Sequence, residues 1–271
     1  MTNTSIISNI RYSGDKSLQD LLLHLPEHFA SGKGELIYDG RNKLRRFILP
    51  SGLTVIVKSY KRPNIFQRIC YSSFWKNKAI KSYIFGNKLL EYDIDTPGPI
   101  AAVTYKNFIG CISEYFFVST ENKDPNCLVL RDGHIKNTDA DALIDALATY
   151  LAKLHKIGFL HGDTNLSNFL YHKQEDNSYH FAVIDTNRSR FLNRPATRQE
   201  ALKNLSRLTH KRELLSSLVK SYARKRDWDE NLVEKEVTAM LVSRERKKEL
   251  KHKFTRFLKA TTAIMLSGML P

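Results

Sequence analysis

Cysteine is scarce in this chain. Cys70, Cys111 and Cys127 are odd in number and contain no close pair. That excludes a disulfide framework and the paired spacings of zinc sites, and it makes a reducing compartment the simple reading. Long apolar runs are also missing. Nothing approaches the roughly 18 residues of a membrane span. The N-terminal MTNTSIISNIRYSG has no apolar core of the kind a secretory signal needs. The tail, Leu258 to Leu270, is apolar but short and broken by Thr, Ser and Gly, which favours a terminal helix packed on the body over an anchor. Acidic residues are outnumbered, 28 against 43 Lys and Arg, for a formal net charge of +15. Such an excess suits a polyanionic partner (nucleic acid, an anionic membrane surface, a phosphorylated substrate), and charge alone does not choose among them. Repeats and low-complexity tracts are absent. What remains, 42% hydrophobic and 26% charged over 271 residues, is the composition of a globular protein able to form one domain or two lobes.

The order of patterns along the chain is informative. Residues 17–30 (SLQDLLLHLPEHFA) read as a short amphipathic helix with Ser17 as its cap and Pro26 interrupting it. From Glu35 the pattern is strand-like. Glu35–Tyr38, the turn Asp39-Gly40-Arg41-Asn42, Leu44–Leu49, a second turn at Pro50-Ser51-Gly52 and Leu53–Ser59 predict an antiparallel meander. Lys58 sits near the end of its third strand, after Val55-Ile56-Val57. Most such lysines simply reach solvent. Downstream acidic residues favour a second reading, a lysine that pairs nucleotide phosphates. Residues 60–75 interleave cations and rings (Lys61, Arg62, Arg68, Tyr71, Phe74, Trp75), which predicts a surface loop in preference to a nucleic-acid site.

Lys76–Tyr92 has helical spacing, with Ala79, Ile80, Tyr83, Ile84, Leu89 and Leu90 as its inward face, and Asp95-Thr96-Pro97-Gly98-Pro99 ends it. Strands at Ile100–Tyr105 and Cys111–Val118 complete five strands and one helix. The polar stretch Ser119–Asn126 reads as a connector. A helix from Thr138 to about Gly158 follows, then strand-like segments ending at Asp185, and from Thr197 a basic, mainly helical remainder. In residues 241–260, Leu250, Phe254, Phe257 and Leu258 form one apolar face on a cationic helix. Such a helix suits either packing on the body, the favoured reading, or contact with an anionic membrane.

The chemistry concentrates in residues 154–191. His161-Gly162-Asp163 is followed by Asn168 five residues after the aspartate, and an apolar run then ends in Asp185. Singly these are turn-formers and caps. In this order they supply what phosphoryl transfer needs, one carboxylate to orient a hydroxyl and two oxygen ligands for a metal on nucleotide phosphates. His161 reads as a brace for the loop. Protein kinases usually have lysine two residues after the catalytic aspartate; Asn165 stands there instead. No Phe-Gly follows Asp185, so no switchable activation loop is evident.

On these residues the chain resembles the lipopolysaccharide kinase family, the Kdo and heptose kinases, from about Tyr38 to Phe191. The matching features are Val57-Lys58, Thr96-Pro97-x-Pro99-Ile100-Ala101, His161-Gly162-Asp163-x4-Asn168, Ile184-Asp185-x-Asn187-Arg188 and Arg190-Phe191. The resemblance implies an α+β, two-lobed, protein-kinase-like fold, with a small antiparallel-sheet lobe and a mostly helical lobe. The expected division is an extension over 1–33, an N-lobe over 34–118 and a C-lobe over 119–271. It also implies ATP-dependent phosphorylation of a core sugar at the cytoplasmic face of the inner membrane. By this matching Asp163 is the catalytic base. Asn168 and Asp185 hold magnesium (manganese is the alternative), Lys58 pairs the phosphates and Gly40 lies in the turn that covers them. Arg188 and Arg190 suit an anionic acceptor, because guanidinium offers paired donors to a carboxylate. Glycolipid or sugar is then the partner, an anionic membrane surface a further one, and nucleic acid is not favoured. Two features depart from the pattern. No Gly-x-Gly-x-x-Gly precedes Lys58, and the helix glutamate that pairs with the lysine has no counterpart, its place falling near Ser82 with Glu91 far along the helix. Two rival readings are a serine/threonine protein kinase of the same fold and a pseudokinase that binds a partner or membrane without turnover.

Overall fold

The computed structural model describes residues 3–62, 76–135 and 137–267, with side chains for 4–62, 76–135 and 138–256. Most of the cationic and aromatic stretch 60–75 lies outside the described residues, as do Cys70 and the side chains of Phe257 and Leu258. The chain forms two compact units. One comprises Met1–Leu128 with Ile157–Arg194, and the other Val129–Lys156 with Pro195–Pro271.

The first unit is built on a six-stranded antiparallel sheet. Its strands are β1 (Asn3–Ser8), β2 (Glu35–Asp39), β3 (Lys43–Ile48), β4 (Thr54–Ser59), β5 (Pro99–Lys106) and β6 (Ile112–Thr120), in the order β1-β5-β6-β4-β3-β2. The meander forms where the turn residues place it, with Gly52 at φ +82° in the second turn. The sheet has one strand more than the sequence predicts. The segment expected as an extension supplies β1, which pairs with β5 from Asn3 opposite Lys106 to Ser8 opposite Ala101. Strand β6 also runs to Thr120, beyond the predicted end, because Ser119 and Thr120 pair with Ile56 and Val55.

Alternation on β4 decides what each face carries. Val55 and Val57 point to one face, buried with Leu18, Leu21, Leu22 and Leu25. These leucines come from α1 (Lys16–Leu23) and α2 (Leu25–Ala30), two helices where one interrupted helix is expected. The cap of α1 is Asp15, not Ser17: the Asp15 carboxylate accepts from the Leu18 amide at 3.0 Å. Each buried leucine contributes about 1.5–3 kcal/mol relative to exposure. Lys58 and Tyr60 point to the opposite face, where α3 (Lys78–Glu91) packs with Ala79 against Tyr60, Ala102, Ile112 and Tyr115. Asn77 caps α3 by accepting from the Ile80 amide and fastens it to the sheet by donating to Thr104 Oγ1 at 2.8 Å. The buried side of α3 includes Ser82 and Gly86, and Leu90 is exposed. Gly86 is required there because a Cβ would stand 2.5 Å from the Pro99 ring.

The hairpin that follows the His161–Asn168 loop belongs to this first unit, whereas the sequence boundaries put it with the helices after residue 118. Hydrogen bonds explain the difference. Strands β8 (Phe169–Lys173) and β9 (Tyr179–Val183) pair with each other. The Val183 amide donates to Asp95 O at 2.9 Å, and Thr96 Oγ1 donates to Val183 O at 2.7 Å. The Thr96-Pro97 segment thus ties the end of α3 to the strand that delivers Asp185.

The second unit is helical: α4 (Val129–Asp132), α5 (Asn137–Lys156), α6 (Arg198–Leu205), α7 (Arg212–Arg224) and α8 (Glu230–Ser267). Thr197 and Glu200 form a capping box at the start of α6. Buried His155 joins three of these helices' neighbourhoods, with Tyr222 Oη 2.8 Å from Nδ1 and Asn204 Oδ1 3.1 Å from Nε2. The distal part of α8 departs from the expected packed apolar face. Every described side chain from Arg246 to Arg256 is exposed, including Leu250 at 66% and Phe254 at 62%. No described segment of the chain supplies a surface for them to bury against.

Candidate active site

The residues singled out in the sequence converge within the first unit. Strand β7 (Phe159–Leu160) leads into His161-Gly162-Asp163 and pairs with β10 (Arg190–Phe191). His161 is buried and braces the loop at two points. Its Nδ1 lies 3.1 Å from the Asp163 amide, which can only donate, so Nε2 carries the proton and donates to Ile184 O at 2.8 Å. Burial pushes the imidazole pKa below its ordinary value, consistent with a neutral ring that holds geometry. The brace therefore links the residue preceding Asp185 to the amide of Asp163.

Asn168 is set by the same network. Its Nδ2 donates to Asp163 O at 2.8 Å, so the amide oxygen is the atom left to face a cation. The Ile184 amide donates to Asn168 O at 3.0 Å, closing the open end of the β8–β9 hairpin with Asn168 and Asp185 together. Asp185 has φ 56° and ψ 47°, the left-handed region, which an aspartate tolerates better than most residues. Its Oδ1 is 2.8 Å from Lys58 Nζ and accepts from Asn187 Nδ2. Lys58 is thus brought from β4 to the acidic loop.

Magnesium is a hard cation usually held by one or two carboxylates, with substrate phosphates and water completing the octahedron. An amide oxygen and a carboxylate at one hairpin end fit that donor set.

The Asp163 carboxylate is half-exposed, with Oδ2 3.4 Å from Arg188 Nη1. Arg188 is therefore the arginine placed beside Asp163. Arg190 is exposed on β10 opposite Leu160. Gly162 permits the close approach: a Cβ there would stand 1.9 Å from Arg188 O. Gly40 lies in the β2–β3 turn, and the neighbouring Arg41 acts electrostatically on Lys78 at the start of α3. Burial, then Arg41, Arg188 and Lys58, lowers the Lys78 pKa, while Asp185 raises it. The turn thus brings positive charge toward the region of Lys58 and Asp185.

Two contributors were not singled out in the sequence: Tyr60 presents its ring to Lys58 and Lys78 adds a cation, and neither carries a local pattern that marks it. Asn187, part of the Ile184-Asp185-x-Asn187-Arg188 pattern, holds Asp185. Phe191 also has a place. Its ring is 5.0 Å from Phe159, 6.0 Å from Phe85 and 5.8 Å from Tyr92, joining α3 to β7 where no Phe follows Asp185 directly.

Residues 127–241 match the family model described as the lipopolysaccharide kinase (Kdo/WaaP) family. No curated protein matches the chain. Among solved structures it is similar to WaaP in complex with acyl carrier protein, at 16% identity over 90% of this chain and 98% of that one, with a TM-score of 0.55. It is also similar to the Rio2 kinase complex with ADP/Mg2+ and phosphoaspartate from Chaetomium thermophilum, at 15% identity over 95% and 82%, with a TM-score of 0.45. The likeness to WaaP is one of fold, and it extends over nearly all of both chains. Residues 127–241 therefore resemble the lipopolysaccharide kinase family on a protein-kinase-like α+β fold, and the protein is a phosphotransferase that acts on a hydroxyl acceptor.

Proposed function

We propose that this kinase transfers the γ-phosphoryl group of ATP to a sugar hydroxyl of lipopolysaccharide core, of Kdo or heptose type. The observation that carries the reading is the convergence of Asp163, Asn168, Asp185 and Lys58 through His161 and the β8–β9 hairpin, within a chain that matches this family over residues 127–241. Asp163 orients the acceptor hydroxyl and takes its proton late in a loose transition state. Lys58 neutralises phosphate charge as the nucleotide binds. Arg188 offsets negative charge on the acceptor beside Asp163. Magnesium, held by Asn168 and Asp185, would supply charge neutralisation at the phosphate oxygens.

Incubation with labelled ATP and core lipid from a kinase-deficient strain, followed by mass spectrometry, tests the reading. A sugar mass increased by one phosphate is expected, and Asp163→Asn should abolish it while Mg-ATP still stabilises the protein thermally. ATP binding without any transfer to lipid or protein acceptors would favour the pseudokinase reading, which the missing helix carboxylate motivates.

We place the protein in the cytoplasm, at the membrane that carries such an acceptor. Among the described residues no helix is long and apolar enough to cross a membrane. The exposed end of α8 supports peripheral contact: Leu250 and Phe254 stand among Arg246, Lys247, Lys248, Lys251, Lys253 and Arg256. Co-sedimentation with vesicles rich in anionic lipid, lost with neutral lipid, is the expected outcome. Equal binding to both would remove the electrostatic argument.

A further inference from the structure

Kinases of this fold aim their strand lysine with a glutamate on the helix. Here α3 offers none at that place. Ser82 occupies it, buried, and Glu91 is exposed at the last residue of the helix. The charge α3 does bring is positive, in Lys78. Lys58 forms an ion pair with Asp185, which is also the carboxylate assigned to the metal. When Asp185 turns its charge to a divalent cation, its hold on Lys58 weakens, and a second partner must keep the ammonium in position.

That partner is visible two residues along the same strand face. Lys58 Nζ lies 5.4 Å from the centroid of the Tyr60 ring, within cation–π range. The ring is held by two contacts and its backbone by a third. Its hydroxyl is 2.8 Å from Ser82 Oγ in a buried contact, and it stacks on Tyr115 at 5.3 Å and 18°. The Tyr60 amide also donates to Tyr115 O at 3.4 Å. We propose that the Tyr60 ring, seated on Ser82, is the positioning group for Lys58, replacing the helix carboxylate with a π face. Helix α3 still takes part in aiming the lysine, through a hydroxyl–hydroxyl hydrogen bond instead of an ion pair. The arrangement has a functional consequence. A neutral ring does not compete with the metal for Asp185, and it does not compete with phosphate for the ammonium as a carboxylate would.

This inference rests on the kinase reading of the same site, and the test separates the two. Mg-ATP affinity and steady-state kinetics are measured for the wild type, Tyr60→Phe and Tyr60→Leu. Tyr60→Phe keeps the π face and should stay within about twofold of wild type; Tyr60→Leu removes it and should weaken Mg-ATP binding about five- to tenfold. The loss should appear in KM for ATP, with kcat and acceptor KM nearly unchanged. A structural role alone would shift all three parameters together. If Phe and Leu are equally damaging, or Leu is harmless, the ring-face role is overturned while the kinase reading stands. If the wild type does not bind Mg-ATP, the kinase reading itself fails.

A second measurement needs no Tyr60→Leu variant to fold. Lysines are reductively methylated with 13C, and the Lys58 resonance is assigned by its loss in Lys58→Arg. With Mg-ATP bound it should remain shifted upfield by the Tyr60 ring current. A Lys58 resonance at the position of exposed lysines in that complex would overturn the proposal.

Discussion

Replacing Gly162 by alanine should damage the active site through one backbone contact. The added Cβ would lie 1.9 Å from Arg188 O, 2.4 Å from its carbonyl carbon and 2.6 Å from its Cβ. Atoms of this kind do not approach within 3.0 Å, so the 186–188 turn or the catalytic loop must move by more than 1 Å. Both are fixed by strong local bonds: His161 joins Asp163 to Ile184, and Asn187 holds Asp185. No flexible side-chain tip is available to yield. Overpacking of this sort costs about 1–3 kcal/mol. A shift of about 1 Å in positioned groups costs on the order of 100-fold in rate. The expected outcome is a fall in kcat/KM of that order, with a thermal midpoint lowered by roughly 3–10 °C. Gly14→Ala is the control, since nothing lies within 4 Å of its Cβ position. Radiolabelled phosphate transfer and thermal unfolding on both variants decide the matter. Gly162→Ala with wild-type kcat/KM and an unchanged midpoint would refute the close-approach argument.

Burial holds the His155 imidazole neutral, with its pKa lowered from 6.5 to about 4. The unfolded chain therefore binds more protons than the folded one between these values. Stability is full above about pH 6.5 and falls as pH drops toward 4, by about 3 kcal/mol. Urea unfolding across that range should show the slope, and His155→Gln should flatten the wild-type curve by this share; parallel curves would contradict the assignment. Thr96→Val removes the 2.7 Å bond to Val183 O, so stability should fall by about 1 kcal/mol and KM for Mg-ATP should rise. An unchanged KM with lowered stability would separate the tether from the site. Arg188→Ala should raise acceptor KM more than ATP KM, because its guanidinium stands by Asp163 and not at the nucleotide lysine. Equal changes would argue against acceptor binding.

Much of the site is legible in the sequence because its parts are local in the chain. His161 to Asn168 span eight residues, and one hairpin joins them to Asp185, so spacing and strand-turn-strand patterning suffice to assemble the three. Lys58 was legible for a different reason, its place after Val55-Ile56-Val57 in the third strand of a meander, with acidic residues downstream. The meander follows from turn residues that permit few other paths. Helix α3 was found by periodicity, but its buried face was assigned too simply: Leu90 is exposed and Ser82 is inside. Periodicity marks apolar residues, and a small polar residue matched to one tyrosine leaves no mark.

The sequence by itself marked out the His161–Asn168 loop, the pairing of Asn168 with Asp185, the strand position of Lys58 and the excess of positive charge, each carried by residues close in the chain or by composition. Only the tertiary structure decided what aims the lysine, because Tyr60, Ser82 and Tyr115 come from β4's end, α3 and β6 and meet only when the sheet is formed. It also decided that residues 3–8 complete the sheet, since an edge strand is defined by the partner it pairs with. It decided that the distal part of α8 stands exposed, because burial depends on what the rest of the chain brings against a helix. Hydrogen bonding and burial are pairwise across long separations, and sequence patterns record only one member of each pair.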